Sequence, residues 1–190
     1  MASLDDIYDE LLALDAARVR PPVQAWRPAL TGNIDIRIAA DGTWHHEGAP
    51  IRRDSLVRLF ASILRRDPEG YCLITPAERL FINVEDAPFI AVDLEIKGAG
   101  DTQSLLFLTN VGDAVVMDPA HPLRMGGDAR APRPYILVRD RLEARISRAV
   151  FYRLVNLAEA RVNASATASG GDGTVFSVRS AGCWFDLGTA

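Results

Sequence analysis

The sequence predicts an α+β protein of two small domains, each built on the same strand–helix–strand core against a mainly antiparallel sheet. Three observations predict it. Short segments of alternating apolar and polar residues recur along the 190-residue chain. Two amphipathic stretches of helical period interrupt them, at 51–66 and 147–161. The two stretches also resemble each other. Ala49, Ile51, Arg53, Arg58 and Leu59 recur as Ala144, Ile146, Arg148, Arg153 and Leu154, each 95 residues on. Strands flank both copies, which makes duplication the simplest reading.

Taken in order, Leu4, Ile7, Leu11, Leu12 and Leu14 follow Ser3 at helical spacing and predict a short helix ending near Ala17. Arg20-Pro21-Pro22 stops it. Ile34-Asp35-Ile36-Arg37-Ile38 alternates strictly and reads as a half-buried strand. Asp41-Gly42 then turns the chain into Trp44. A three-residue loop ending in Gly42 places Trp44 opposite Ile38, on the isoleucine face. A two-residue loop would place it with Ala39 and Arg37, burying less apolar area, so the longer loop is expected.

In the first helix, Leu56, Val57, Leu59, Phe60, Ile63 and Leu64 form one broad stripe, with Arg58 and Arg65 opposite. Strands follow at 71–75, 80–84, 89–96, 104–109 and 114–117. A Pro-, Gly- and Arg-rich loop is expected over 118–134. Strands at 135–138 and 142–146 precede the second helix, and strands at 175–178 and 183–187 end the chain. The expected division is 1–24 for the N-terminal helix and linker, 25–97 for the first repeat domain, and 98–190 for the second.

Composition narrows the function classes. The net charge is −4, with no balance of basic residues suited to general nucleic-acid binding. No apolar stretch approaches the roughly 20 residues that span a bilayer. Cys72 and Cys183 have no metal-type spacing and are expected as buried, reduced thiols, so the cytoplasm is the expected compartment. His45-His46-Glu47 is the nearest approach to a metal cluster. On a strand those histidines point to opposite faces, so no metal and no cofactor are expected.

Arg53 is the odd residue. At 100° per residue it falls within the apolar arc of its helix, in the first turn, where the macrodipole disfavours a cation. Arg148 repeats the feature. An inward guanidinium needs a carboxylate or carbonyl partner, or serves as an anion site. Glu85 and Asp86, before Ala87-Pro88, are the candidate acids, with Asp86 preferred as partner; the alternative is a turn with an exposed Glu85. Thr75-Pro76-Ala77-Glu78-Arg79 reads as a turn with a charged pair, and His121 lies in the Asp118–Pro122 turn sequence.

Trp44-x-His46-x-Gly48-x-Pro50-Ile51-x-Arg53, Val57-x-Leu59-Phe60, Thr75-Pro76-x-Glu78, Val84-Glu85-Asp86-Ala87-Pro88-Phe89 and His121-Pro122-Leu123-Arg124 occur in that order. Together they resemble the bacterial family called domain of unknown function 1285, from about residue 25 to the C-terminus. Arg79 stands where lysine is expected in that pattern, keeping the charge. The resemblance implies a two-domain protein with a duplicated core, its second domain loosely like pleckstrin-homology folds. It also implies a ligand site at the domain interface and a part in signalling or regulation.

The resulting expectation is a non-enzymatic module binding an anionic small molecule or a protein partner. Its site would comprise Trp44, His46, Arg53, Glu78, Glu85, Asp86, His121 and Arg124 in a cleft between the domains. The alternatives are a small hydrolase or lyase using His46 or Asp86 as general base, and a structural or assembly protein.

Overall fold

The computed structural model describes residues 20–128, 131–162 and 174–189. The helix expected before Ala17 lies outside the described residues. The chain divides into two compact units between Pro88 and Phe89. The expected division at Lys97 falls instead at the end of a strand, Phe89–Lys97, that belongs to the second unit.

The first unit runs β1 (Leu30–Ile38), β2 (Trp44–His46), β3 (Ala49–Pro50), α1 (Asp54–Ser62), β4 (Leu64–Asp67), β5 (Gly70–Ile74) and β6 (Glu78–Val84). Its six-stranded sheet has the order β3-β2-β1-β6-β5-β4. Neighbours are antiparallel except β1 and β6 at the centre, which are parallel.

The β1–β2 hairpin has the longer loop. Ala39 N–H donates to the Thr43 carbonyl at 2.9 Å, leaving Ala40, Asp41 and Gly42 to turn. Gly42 has φ 85°, the left-handed conformation that a side chain opposes. Ile38 therefore faces Trp44, and Ile36, Ile38 and Trp44 are buried together. Trp44 stacks on Phe60 of α1, with ring centroids 6.2 Å apart, so the helix covers this face of the sheet.

Helix α1 is shorter than the apolar spacing predicts. Arg53 is extended (φ −91°, ψ 101°) and precedes the helix, while Ile63 leaves it at φ −105°, ψ 8°. Leu64–Asp67 is a strand that pairs with β5, Leu64 opposite Leu73. Phe60, Ile63 and Leu64 continue a helical stripe, but Leu64 also suits an inward strand position. Sheet pairing decides between them.

The second unit runs β7 (Phe89–Lys97), a 3-10 turn (Gly100–Thr102), β8 (Ser104–Thr109), β9 (Ala114–Val116), β10 (Leu123–Asp128), β11 (Ala131–Arg139), β12 (Leu142–Ile146), α2 (Arg148–Val155), β13 (Glu159–Val162), β14 (Thr174–Ser180) and β15 (Cys183–Thr189). Its six-stranded sheet has the order β10-β11-β12-β7-β8-β9. Read from the other edge, that is the order of the first sheet: two three-stranded meanders whose first and last strands meet in parallel at the centre. The stretch expected as a loop, 118–134, supplies β10 and the start of β11.

The duplication is thus visible at two levels. The six-stranded sheets repeat as wholes. The local passage β3-α1-β4 also recurs as β12-α2-β13: Leu64–Asp67 moved on by 95 residues falls on Glu159–Val162. The two levels are in different register. Helix α1 follows the third strand of its sheet, and α2 follows the sixth. β13 then joins a separate three-stranded sheet, β13-β14-β15. Helix α2, like α1, ends before its expected limit and gives way to a strand.

Candidate functional site

At one end of the first sheet, β6 runs out beside the β1–β2 turn. Glu85 N–H donates to the Ile38 carbonyl at 3.0 Å, extending the parallel pairing by one step. The Glu85 carboxylate accepts from Ala40 N–H at 2.9 Å and from the Arg37 guanidinium. These two interactions, the backbone bond foremost, hold its pKa below the usual carboxylate value. Glu85 is therefore an exposed, fully ionised clasp on the hairpin. Asp86 beside it is half-buried. Trp44, two strands away on the inner face, is 1% exposed and forms core. His46 is half-buried opposite Ile36.

Arg53 and Arg148 are both exposed. The inward placement expected for them fails because Arg53 stands before the helix and a first-turn side chain has solvent on its N-terminal side. The buried guanidinium is Arg65, expected on the solvent side of a helix and instead 8% exposed on β4. Its Nε and Nη2 donate to the two Asp67 carboxylate oxygens at 2.6 and 2.7 Å. Its Nη1 reaches the carbonyls of Val23 (2.9 Å) and Trp26 (3.1 Å). Arg79 donates to Asp67 as well, at 3.0 Å. The Arg65 bonds above all, and Arg79 with them, keep Asp67 ionised well below its ordinary range. Cys72 lies against this network, and burial, reinforced by the Asp67 charge, raises its pKa to about 11. It is a neutral packing thiol. Cys183 is also free, and half-buried.

Glu78 opens β6, so it sits roughly 20 Å along the strand from Glu85. Its N–H donates to Thr75 Oγ1 at 3.1 Å, and Thr75 N–H returns a bond to its carbonyl at 2.9 Å, the expected turn. Glu78 and the Glu85–Asp86 pair are therefore not one constellation.

Between these two ends the central strand pair opens. β1 and β6 are in register from Leu30/Glu78 to Asn33/Phe81 and again from Arg37/Asn83. Between those points β1 has Ile34, Asp35 and Ile36 where β6 has only Ile82. The Asp35 carbonyl accepts from Glu47 N–H at 3.1 Å, so its backbone faces β2. By alternation, the backbones of Ile34 and Ile36 face the gap. A cleft of about 450 Å³ lies there, lined by residues 33–36, 70–71 and 81–84. Its polar lining is Asn33, Asp35, Tyr71 and Asn83; its apolar lining is Ile34, Ile36, Phe81, Ile82 and Val84. Sequence reading missed it. The alternation of residues 34–38 predicts a regular strand and carries no mark of how many residues the parallel partner would oppose to it.

In the second unit, Asp118 Oδ1 accepts from the N–H groups of Ala120 (2.9 Å) and His121 (2.8 Å) and meets His121 Nδ1 at 3.0 Å. The histidine thus closes a turn. Arg124 donates twice to Glu143, at 2.8 Å each, and lies 4.3 Å over the Tyr135 ring. Gly126 makes this possible: a Cβ there would stand 2.9 Å from Arg124 Nη1 and 3.0 Å from Tyr135. Among the described residues, no group of three or more His, Cys, Asp or Glu side chains is placed to hold a metal ion.

These features define a two-unit α+β protein in which Asp67, Glu85, Asp118 and Glu143 are committed to ion pairs or turns. The chain belongs to the DUF1285 family: the model "Domain of unknown function (DUF1285), N-terminal domain" matches residues 21–87, and the "Protein of unknown function (DUF1285), C-terminal domain" model matches 88–187. It is similar to the crystal structure of a DUF1285 family protein from Silicibacter pomeroyi DSS-3, at 43% identity over 95% of both chains, with a TM-score of 0.81. A DUF1285 family protein from Shewanella baltica OS155 shares 30% identity over 64% of this chain and 90% of its own, with a TM-score of 0.51. No curated protein matches. Among the described residues, no helix is long and apolar enough to cross a membrane.

Proposed function

We propose that the chain is a non-enzymatic binding module of the cytoplasm with a regulatory or signal-transducing role. Its first unit takes a small molecule, or a short extended segment of a protein partner, at the opening between β1 and β6. The observation that carries this reading is the cleft itself. The gap-facing backbones of Ile34 and Ile36, the four polar side chains of Asn33, Asp35, Tyr71 and Asn83, and apolar neighbours line one open volume. His46, Glu85 and Asp86 border the same end of the sheet. Arg53, Glu78, His121 and Arg124 do not line the cleft.

Catalysis has less support. The candidate bases of that reading, His46 and Asp86, do not line the cleft, and the neighbouring Glu85 is held ionised by its clasp. The free cysteines suit a reducing compartment. The test is a thermal-shift screen with nucleotides, phosphorylated metabolites, amino acids and short peptides, repeated on Asn83→Trp, which fills the cleft. A ligand present at about 100 times its Kd stabilises by about 2.7 kcal/mol. The expected result is a shift in the wild type that Asn83→Trp removes while its own folding is retained. Ligand shifts equal in both proteins would refute the placement.

A further inference from the structure

Strand β13 is an outer strand of the small sheet, and all four of its residues are exposed. One edge pairs with β14; the other has no strand beside it among the described residues. Glu159 and Arg161 point to one face. Ala160 and Val162 point to the other, with Phe176 directly opposite Ala160. Val162 is 76% exposed and Phe176 42%. An edge of this kind is a template for another strand, and it carries neither Pro nor Lys to discourage pairing.

Its charge pattern selects the occupant. Two copies of β13 can pair antiparallel about a two-fold axis only where outward-facing backbone groups meet each other, so residues of like parity must oppose. Three such registers centre on the charged part of the strand. Glu159 opposite itself and Arg161 opposite itself each oppose like charges. The register with Ala160 on the axis places Glu159 opposite Arg161 of the second copy, twice over by symmetry. On the other face it sets Ala160 against Ala160 and Ala158 against Val162. The apolar strip of Val162 and Phe176 then continues across the junction. The sequence Glu-Ala-Arg-Val is thus complementary to itself in one register and repelled in its neighbours.

We propose that β13 is the association edge of a homodimer, joining two small sheets into one six-stranded sheet with Ala160 on the two-fold axis. β14 pairs with the inner edge of β13, which leaves the outer edge as the surface that a second copy takes.

Sedimentation equilibrium of the full chain over about a hundredfold concentration range tests it, with far-UV circular dichroism confirming the fold of each variant. The wild type is expected to associate to a dimer. Glu159→Arg, which opposes arginine to arginine, should weaken association about tenfold or more. Arg161→Glu should do the same, but it also removes a guanidinium stacked 4.2 Å over the Trp184 ring, so it is not read alone. The decisive sample mixes the two single variants. Each repels itself, yet in register each is complementary to the other, so the mixture should associate where neither component does. A wild type that stays monomeric, a dimer indifferent to Glu159→Arg, or folded variants that do not associate on mixing would each overturn the proposal.

Discussion

Asp67 is the side chain on which most of one edge of the first unit depends. It neutralises two guanidiniums, and Arg65 in turn holds the carbonyls of Val23 and Trp26. Asp67→Asn leaves Arg65, with 9% of its side chain exposed, without its charge partner. That should cost about 3 kcal/mol in urea unfolding. The pH dependence has a definite sign. The folded pKa lies below the ordinary 3.8, so the contribution is fully present above that value and fades as pH falls through the lower folded value. The gap between wild type and Asp67→Asn should hold at neutral pH and close in acid; a gap that widens on acidification would contradict the assignment. None of this network was legible beforehand. A helical wheel placed Arg65 on the solvent side, because the apolar spacing of residues 56–64 runs past the helix's real end. The same wheel turned Arg53 inward by counting it as helical.

For the elements, the hairpin was legible and the parallel pair was not. The Asp-Gly turn and the isoleucine alternation are local signals, and together they set the Ile38–Trp44 register. Gly42→Val forces a β-branched residue into a left-handed conformation and should cost about 1–2 kcal/mol, read as a lower urea midpoint with unchanged slope. Equal stability would mean the loop tolerates another turn. Trp44→Ala removes the indole stacked on Phe60 and should cost about 3–5 kcal/mol. The ends of α1 and α2 were both overrun for one reason. Leu64 and the residues after Val155 satisfy a helical stripe nearly as well as a strand, and only pairing with β5 or β14 distinguishes the two. The β1–β6 opening depends on residues 46 positions apart in sequence, such as Asn83 and Arg37, so no local period could announce it.

On the scale of the whole molecule, duplication was readable, but its boundary was not. The repeat at offset 95 tracks the strand–helix–strand passage, while the sheets repeat in another register that begins with β1 and β7. A fragment beginning at Phe89 keeps β7 at the centre of its sheet, between β12 and β8. One beginning at Gly98 loses that strand and exposes the edges of both neighbours. The first should give dispersed amide resonances and a cooperative thermal transition, the second neither. A folded fragment from Gly98 would contradict the division at Pro88. The most direct measurement on the binding reading is an amide-resolved NMR titration of the full chain with the ligand that the thermal screen returns. The account predicts that saturable shifts concentrate at residues 33–36, 70–71 and 81–84. Shifts confined to other surfaces, with those residues unmoved, would contradict it.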